Sequence, residues 1–424
     1  MSFFTRRQFF SLAGILPFAR LLAGRARANT QARVVVVGGG FGGATCAKYL
    51  RLADPNLEVT LVTPQPQFVT CPFSNAALVG LRSLASLTHT YRQLREGYGA
   101  QIVHAQAQEL DPTAQRLILS DGTTLTYDKL VLSPGVELRW DVIEGYDAEA
   151  STVFPHAWQA GSQTLLLRRQ LEAMEDGGLV VISAPETPYR CPPGPYERAS
   201  LIAHYLKTHK PKSKILLLDA KDSFTKDTLF LDAWKRLYPG LLEWVPGAQG
   251  GRVTQVDTRT GIVRTEFDEY KPAVANIVAP QRTAVIARTG GLDAGTGWCP
   301  IHGSTFESRV HANIHIIGDA ALANPMPKSA FSANNQAKVC AAAIVARLWG
   351  EPVAQPALMN TCYSLVAPDY GISISAVYAV ENDTIQVVPG SSGTSPLDAP
   401  ETTRALEAAY ARSWYANITA DTFG

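Results

Sequence analysis

The sequence predicts an α/β protein with two dinucleotide-binding-type βαβ units and a smaller α+β segment at the C-terminus. Three observations carry this. The β-branched run Arg33-Val34-Val35-Val36-Val37 meets Gly38-Gly39-Gly40-Phe41-Gly42-Gly43 and then an apolar, helix-like stretch. A second strand-like run, residues 178–183, leads through a proline-rich loop into another apolar helix pattern and a further strand, residues 214–218. Near residue 313 a third run, Asn313-Ile314-His315-Ile316-Ile317, closes on Gly318-Asp319-Ala320 before an Ala-rich helix.

Residues 1–28 read as a twin-arginine export signal. Arg6-Arg7 precedes Gln8-Phe9-Phe10 and a modest apolar stretch, and Ala26-Arg27-Ala28 offers a small-x-small cleavage site, so the mature chain starts near Asn29. Such export carries folded proteins, and the expected destination is the bacterial periplasm. Pro17 and Arg20 interrupt the apolar stretch, which argues against stable membrane insertion. The 424 residues carry a formal net charge of +1 with no basic stripe or cluster beyond the N-terminus, which excludes nucleic acid as a partner. No metal-ligand spacing is present.

Residues 29–144 form the first part of a cofactor domain. Gly38, Gly40 and Gly43 fit G-x-G-x-x-G between a strand and a helix over residues 44–52, the context in which backbone and helix N-terminus receive a pyrophosphate. A second strand, residues 58–62, should end on an acid that holds the adenosine ribose; Thr63 stands there, a neutral partner for that hydroxyl. Leu130-Val131-Leu132-Ser133-Pro134-Gly135 reads as the hinge where the chain leaves this domain. Residues 282–350 return to it, and Asp319 is placed to bond the ribityl chain of FAD. The three motifs in this order mark a two-dinucleotide-domain flavoprotein with glutathione-reductase-like Rossmann domains and make the cofactor FAD.

Residues 145–281 form the second, NAD-binding-like domain. Its strand-to-helix segment reads Ser-Ala-Pro-Glu-Thr-Pro-Tyr-Arg-Cys-Pro-Pro-Gly, without the spaced glycines of a nucleotide loop and with prolines that remove N–H donors. NAD(P)H should not bind there. Residues 351–424 form a C-terminal domain that covers the flavin, ending in a short apolar helix over residues 406–415 and a polar Asp-Thr-Phe-Gly tail.

The chain has six cysteines. Cys191 lies on a proline-stiffened loop before a helix whose first turn is Pro195-Tyr196-Glu197-Arg198; the positive end of that helix favours a thiolate, and a redox role outweighs simple packing. Cys362 sits among the polar residues Asn360, Thr361 and Ser364, in the segment that covers the flavin. Cys71 follows the second strand, where the chain passes the isoalloxazine, and position alone leaves covalent attachment and packing both open. Cys46, Cys299 and Cys340 read as core residues.

Arg190-Cys-Pro-Pro-Gly-Pro-Tyr-Glu-Arg-Ala-Ser200, residues 324–338, Asn360-Thr-Cys-Tyr-Ser-Leu-Val-Ala-Pro-Asp-Tyr-Gly-Ile-Ser373 and the terminal Asp-Thr-Phe-Gly resemble the flavoprotein chain of flavocytochrome c sulfide dehydrogenase, over residues 33–424. The resemblance implies FAD linked through a Cys71 thioether, a redox-active Cys191–Cys362 disulfide, and Glu197 as a proton-handling group beside it. A covalent link would also make the weak ribose partner Thr63 less critical. The implied reaction is oxidation of sulfide through the disulfide to FAD, with electrons passing to a c-type, dihaem cytochrome subunit, since this chain has no Cys-x-x-Cys-His. Lys328 then either stabilises negative charge on reduced flavin or is simply solvated. The rival readings are a sulfide:quinone oxidoreductase-like enzyme, which should carry a membrane-inserting amphipathic end, an NADH-dependent disulfide reductase, and an accessory flavoprotein of a periplasmic sulfur-oxidising complex.

Overall fold

The computed structural model describes residues 31–424; the export signal read from the sequence lies outside them. Strand β1 (Arg33–Val37) is buried from Val34 onward, as expected of a parallel strand with both faces covered. It pairs in parallel with β2 (Glu58–Val62), which carries β3 (Gln101–Val103), and on its other side with β4 (Lys129–Leu132). In this register Val37 is level with both Val62 and Leu132, so the Gly38 loop, Thr63 and Ser133 share one edge of the sheet. Helix α1 (Phe41–Ala53) springs from the glycine loop. The five-residue α2 (Ser74–Leu78) follows Cys71.

The chain leaves through β5 (Val136–Leu138) after Gly135, whose φ of 71° a residue with a side chain would adopt only under strain. It builds a second parallel sheet from β6 (Leu179–Ala184), β7 (Lys214–Asp219), β8 (Leu242–Val245) and β9 (Val274–Asn276), in the order β8-β7-β6-β9. Helix α3 (Gly194–His209) joins β6 to β7, and α4 (Asp227–Leu237) follows β7. The return strand β10 (Gln281–Thr283) pairs antiparallel with β5, so outgoing and incoming chains form one ribbon. Strand β11 (Ile314–Ile316) then completes the first sheet beside β4, and α5 (Ala330–Trp349) packs on α1.

The C-terminal segment is an antiparallel meander of β12 (Ala357–Ala367), β13 (Tyr370–Glu381) and β14 (Thr384–Val387), followed by α6 (Glu401–Phe423). Here the structure corrects the sequence reading. The last helix has 23 residues and includes Asp421, Thr422 and Phe423, which are not a polar tail. Each has a remote partner. Asp421 accepts from the Tyr49 hydroxyl at 2.8 Å and the Asn334 amide at 2.7 Å and pairs with Lys338 at 2.8 Å. Thr422 meets Thr45, and Lys48 Nζ donates to the carbonyls of Asp421 and Gly424, both at 2.8 Å. Phe423 stacks on His89 with ring centroids 4.9 Å apart and also contacts Phe41 and Phe68. No described helix is long and apolar enough to cross a membrane.

A second correction concerns charge. Lys207, Lys212, Lys214 and Arg236 line an open cavity of about 350 Å³, so a basic cluster does exist beyond the N-terminus. Lys207 and Arg236 stand in the last turns of α3 and α4, where cations complement the negative helix ends, and Lys207 donates to the Leu237 carbonyl.

Candidate active site

The first glycine loop has the form a dinucleotide requires. A Cβ at Gly43 would overlap the Gly38 carbonyl, so only glycine lets α1 approach the loop this closely. Gly38 has φ 104° and lies against Ser133, while Gly40 is the N-cap of α1 and supplies no side-chain cap. The amides of Phe41, Gly42 and Gly43 therefore remain for a pyrophosphate. At the far end of the site Asp319 is the middle residue of a single 3-10 turn, Gly318–Ala320, after β11, its carboxyl raised by burial and drawn back by Arg190 and Lys328. These residues fit FAD. Thr63 is buried beneath Gly39, with the Tyr91 hydroxyl, which donates to the Gly39 carbonyl, beside it. Its hydroxyl is thus shared with protein, and no local motif pointed to Tyr91.

The second βαβ unit has its nucleotide position filled by protein. Asp219 ends β7, where a ribose-binding acid would stand, but it is fully buried. It accepts from the Tyr196 hydroxyl at 2.6 Å, Trp244 Nε1 at 3.1 Å and Lys221 Nζ at 2.5 Å. Tyr196 is stacked on Phe224 at 3.7 Å, and Tyr189 from the proline loop is buried with its hydroxyl on the Pro192 carbonyl.

Three thiols converge from three parts of the chain. Cys191 adopts a left-handed conformation, φ 57°, and its amide donates to the Lys328 carbonyl at 2.8 Å, tying the proline loop to the segment ahead of α5. Cys362 lies mid-strand in β12, half-buried, opposite Ile374. Cys71 Sγ is 3.6 Å from the Trp158 carbonyl, which also accepts from Arg190. All six cysteines are unbonded thiols in this structure, and Cys46 and Cys340 are buried neighbours between α1 and α5. Burial pushes the Cys191 thiol well above its usual range, and the charges of Cys362, Glu197 and Cys71 push it further, against the pull of Arg190. The expected thiolate is therefore not favoured: desolvation and negative neighbours outweigh the helix end. Burial raises Cys362 as well, opposed by Lys226 and reinforced by Glu197. An uncharged S–S bond suits such a site better than two thiolates.

Glu197 joins the parts. Its carboxylate accepts the Leu365 amide of β12 at 2.9 Å and the Asn75 side-chain amide of α2 at 3.0 Å. Burial raises its pKa, and these donors, Lys226 and Arg198 draw it back. Arg198, one residue on, is buried with donors on Asn75 Oδ1, Asn276 Oδ1 and the carbonyls of His156 and Ala157. Lys328 is not solvated. Its ammonium is buried over the Trp298 ring at 3.8 Å, bonded to the carbonyls of Asp319 and Ala321, and desolvation lowers its pKa to about 8. Sequence reasoning missed Lys226, Arg190 and Asn75. Arg190 at least neighbours Cys191 in the chain, whereas Lys226 and Asn75 come from remote turns with no local signal.

Comparisons with known proteins agree with this geometry. Residues 164–279 match the model of the sulfide dehydrogenase [flavocytochrome c] flavoprotein chain, central. Residues 354–423 match that of flavocytochrome c sulphide dehydrogenase, flavin-binding, and residues 32–171 that of pyridine nucleotide-disulphide oxidoreductase. The chain is 75% identical over 44 residues, 10% of its length, to the sulfide dehydrogenase [flavocytochrome c] flavoprotein chain of Chlorobaculum thiosulfatiphilum, covering 92% of that sequence. It is 27% identical over 172 residues to a sulfide-quinone reductase of Aquifex aeolicus, 41% of this chain and 38% of that one. The solved sulfide:quinone oxidoreductase of Aquifex aeolicus shares its fold, with a TM-score of 0.72 at 17% identity over 92% of each chain.

Proposed function

The chain belongs to the family of flavocytochrome c sulfide dehydrogenase flavoprotein chains, and on that premise we propose that it oxidises sulfide through a Cys191–Cys362 disulfide and passes the electrons to a c-type, dihaem cytochrome. It is an FAD-dependent oxidoreductase acting on sulfide. The observation that carries the disulfide route is the meeting of Cys191 and Cys362, from two separate segments, around one half-buried Glu197. Hydrosulfide attacks the Cys191 sulfur, a new S–S bond forms, the old one breaks, and its electron pair leaves on Cys362. This leaves Cys191 as a persulfide and Cys362 as a thiolate; bound FAD would supply the two-electron acceptor, and the disulfide re-forms as the outer sulfur leaves Cys191 at the zero-valent level. Glu197, whose pKa burial raises, is the group placed to take up and return a proton during the exchange. Cys71, half-buried beside Trp158, is the residue for a thioether to FAD, and Arg6-Arg7 supports export to the periplasm.

Anaerobic titration of the purified protein with sulfide and, separately, with NADH tests this reading by flavin absorbance. The expected result is bleaching by sulfide alone, lost in Cys191→Ser and in Cys362→Ser. Bleaching by NADH alone would overturn it. For the thioether, Cys71→Ala should release FAD on dialysis while the unaltered protein retains it.

A further inference from the structure

Lys226 is a buried cation that the reaction as described does not use. It is the N-cap of α4 and holds φ 65°, a left-handed conformation disfavoured for a lysine. Its side chain crosses from the second βαβ unit to β12. There Nζ donates to Ser364 Oγ at 2.8 Å and to the Cys362 carbonyl at 3.4 Å. The ammonium is thus anchored at two points of the strand, one on either side of Tyr363, and one of them is the Cys362 residue itself.

We propose that Lys226 is a positioning residue for the reaction: anchored on Ser364 and Cys362, its ammonium compensates the negative charge that appears on the Cys362 sulfur each time the Cys191–Cys362 bond opens. The proposal rests on the disulfide route above. When hydrosulfide bonds to Cys191, the pair from the broken S–S bond goes to Cys362, and no proton is needed if a fixed cation already faces the sulfur. The surroundings make that cation necessary. Glu197 of α3 and Cys191 of the proline loop face the same place, and Glu407 of α6 also bears on Lys226. Burial raises the Cys362 thiol and lowers the Lys226 ammonium, and each of the two opposes the shift of the other. Arg190 opposes the rise at Cys191 as Lys226 does at Cys362, while Lys226 also feels the charge of Cys191. A leaving thiolate departs faster as its pKa falls, so loss of the cation slows bond opening.

The test is stopped-flow reduction of the holoenzyme by sulfide across pH 6–9, with Lys226→Met, Lys226→Arg and Ser364→Ala. Lys226→Met should slow flavin bleaching about tenfold, with little change in apparent sulfide affinity, and Lys226→Arg should restore most of the rate. In the reduced protein, the pH midpoint for modification of Cys362 by methyl methanethiosulfonate, read by peptide mass mapping, should rise by about one unit in Lys226→Met and that of Cys191 by less. If Lys226→Met does not fold, Ser364→Ala, which frees the ammonium from its anchor, should shift the Cys362 midpoint in the same direction. An unchanged Cys362 midpoint in a folded variant overturns the proposal. Failure of sulfide to bleach the unaltered protein would instead overturn the disulfide route on which it rests.

Discussion

Replacing Phe423 by alanine should destabilise the protein by about 3 kcal/mol, although the residue is next to last in the chain. Its ring is 6% exposed, stacked on His89 and set against Phe41, Phe68 and Tyr91. Core Phe→Ala changes fall at roughly 3–5 kcal/mol, and the lower figure applies because a helix end can partly close over the space. For a chain of this size that corresponds to a fall in melting temperature of about 3 °C. The effect should reach the glycine loop. Phe41 is the first residue of α1, and the Phe68 ring lies 3.3 Å from where a Cβ on Gly40 would be. Heating the holoenzyme while following far-UV circular dichroism and flavin fluorescence would read both, and the two transitions should fall together. Phe68→Ala should be less than additive with Phe423→Ala, because the rings share one contact. A melting temperature within about 1 °C of the unaltered protein would refute the reasoning and return the terminal residues to the status of a tail.

Three further outcomes are expected. His156 accepts the Trp158 amide at Nδ1, and burial, with Arg198 and Arg190, lowers its pKa to about 4. Its folded pKa is below its unfolded one, so its contribution is complete above the ordinary histidine range and is lost as pH falls towards 4; urea unfolding should lose up to about 3 kcal/mol from this group, a loss absent from His156→Gln. Asp219→Asn should lower stability by about 3 kcal/mol, since it leaves Lys221 without its carboxylate, and isothermal titration should still detect no NADH binding. Glu197→Gln sets an amide against the Leu365 or Asn75 donor, costs about 2 kcal/mol in chemical denaturation, and slows sulfide reduction in stopped flow.

The parallel strands, the glycine loop and the proline loop were legible because their signals are local: β-branched runs, spaced glycines and absent N–H donors lie within a few residues of the feature they specify. The terminal Asp421-Thr422-Phe423 was misread for the opposite reason. Polar side chains look like surface until the tertiary fold brings Tyr49, Asn334, Lys338 and Thr45 to them. The ionisation of Cys191 failed in the same way, since a helix N-terminus is visible in sequence and desolvation is not. Lys226 sits 136 residues from Cys362, and no spacing rule joins a turn before one helix to the middle of a distant strand.

The buried Asp219 also makes the second βαβ unit resistant to reversal. Glycines introduced between residues 185 and 193 would open the loop, yet the acid would still be held by Tyr196, Trp244 and Lys221. Freeing it one partner at a time leaves a charge or a donor stranded in the interior at each stage. A nicotinamide-using descendant would have to change loop and triad together, so single substitutions filtered by stability lead away from that route.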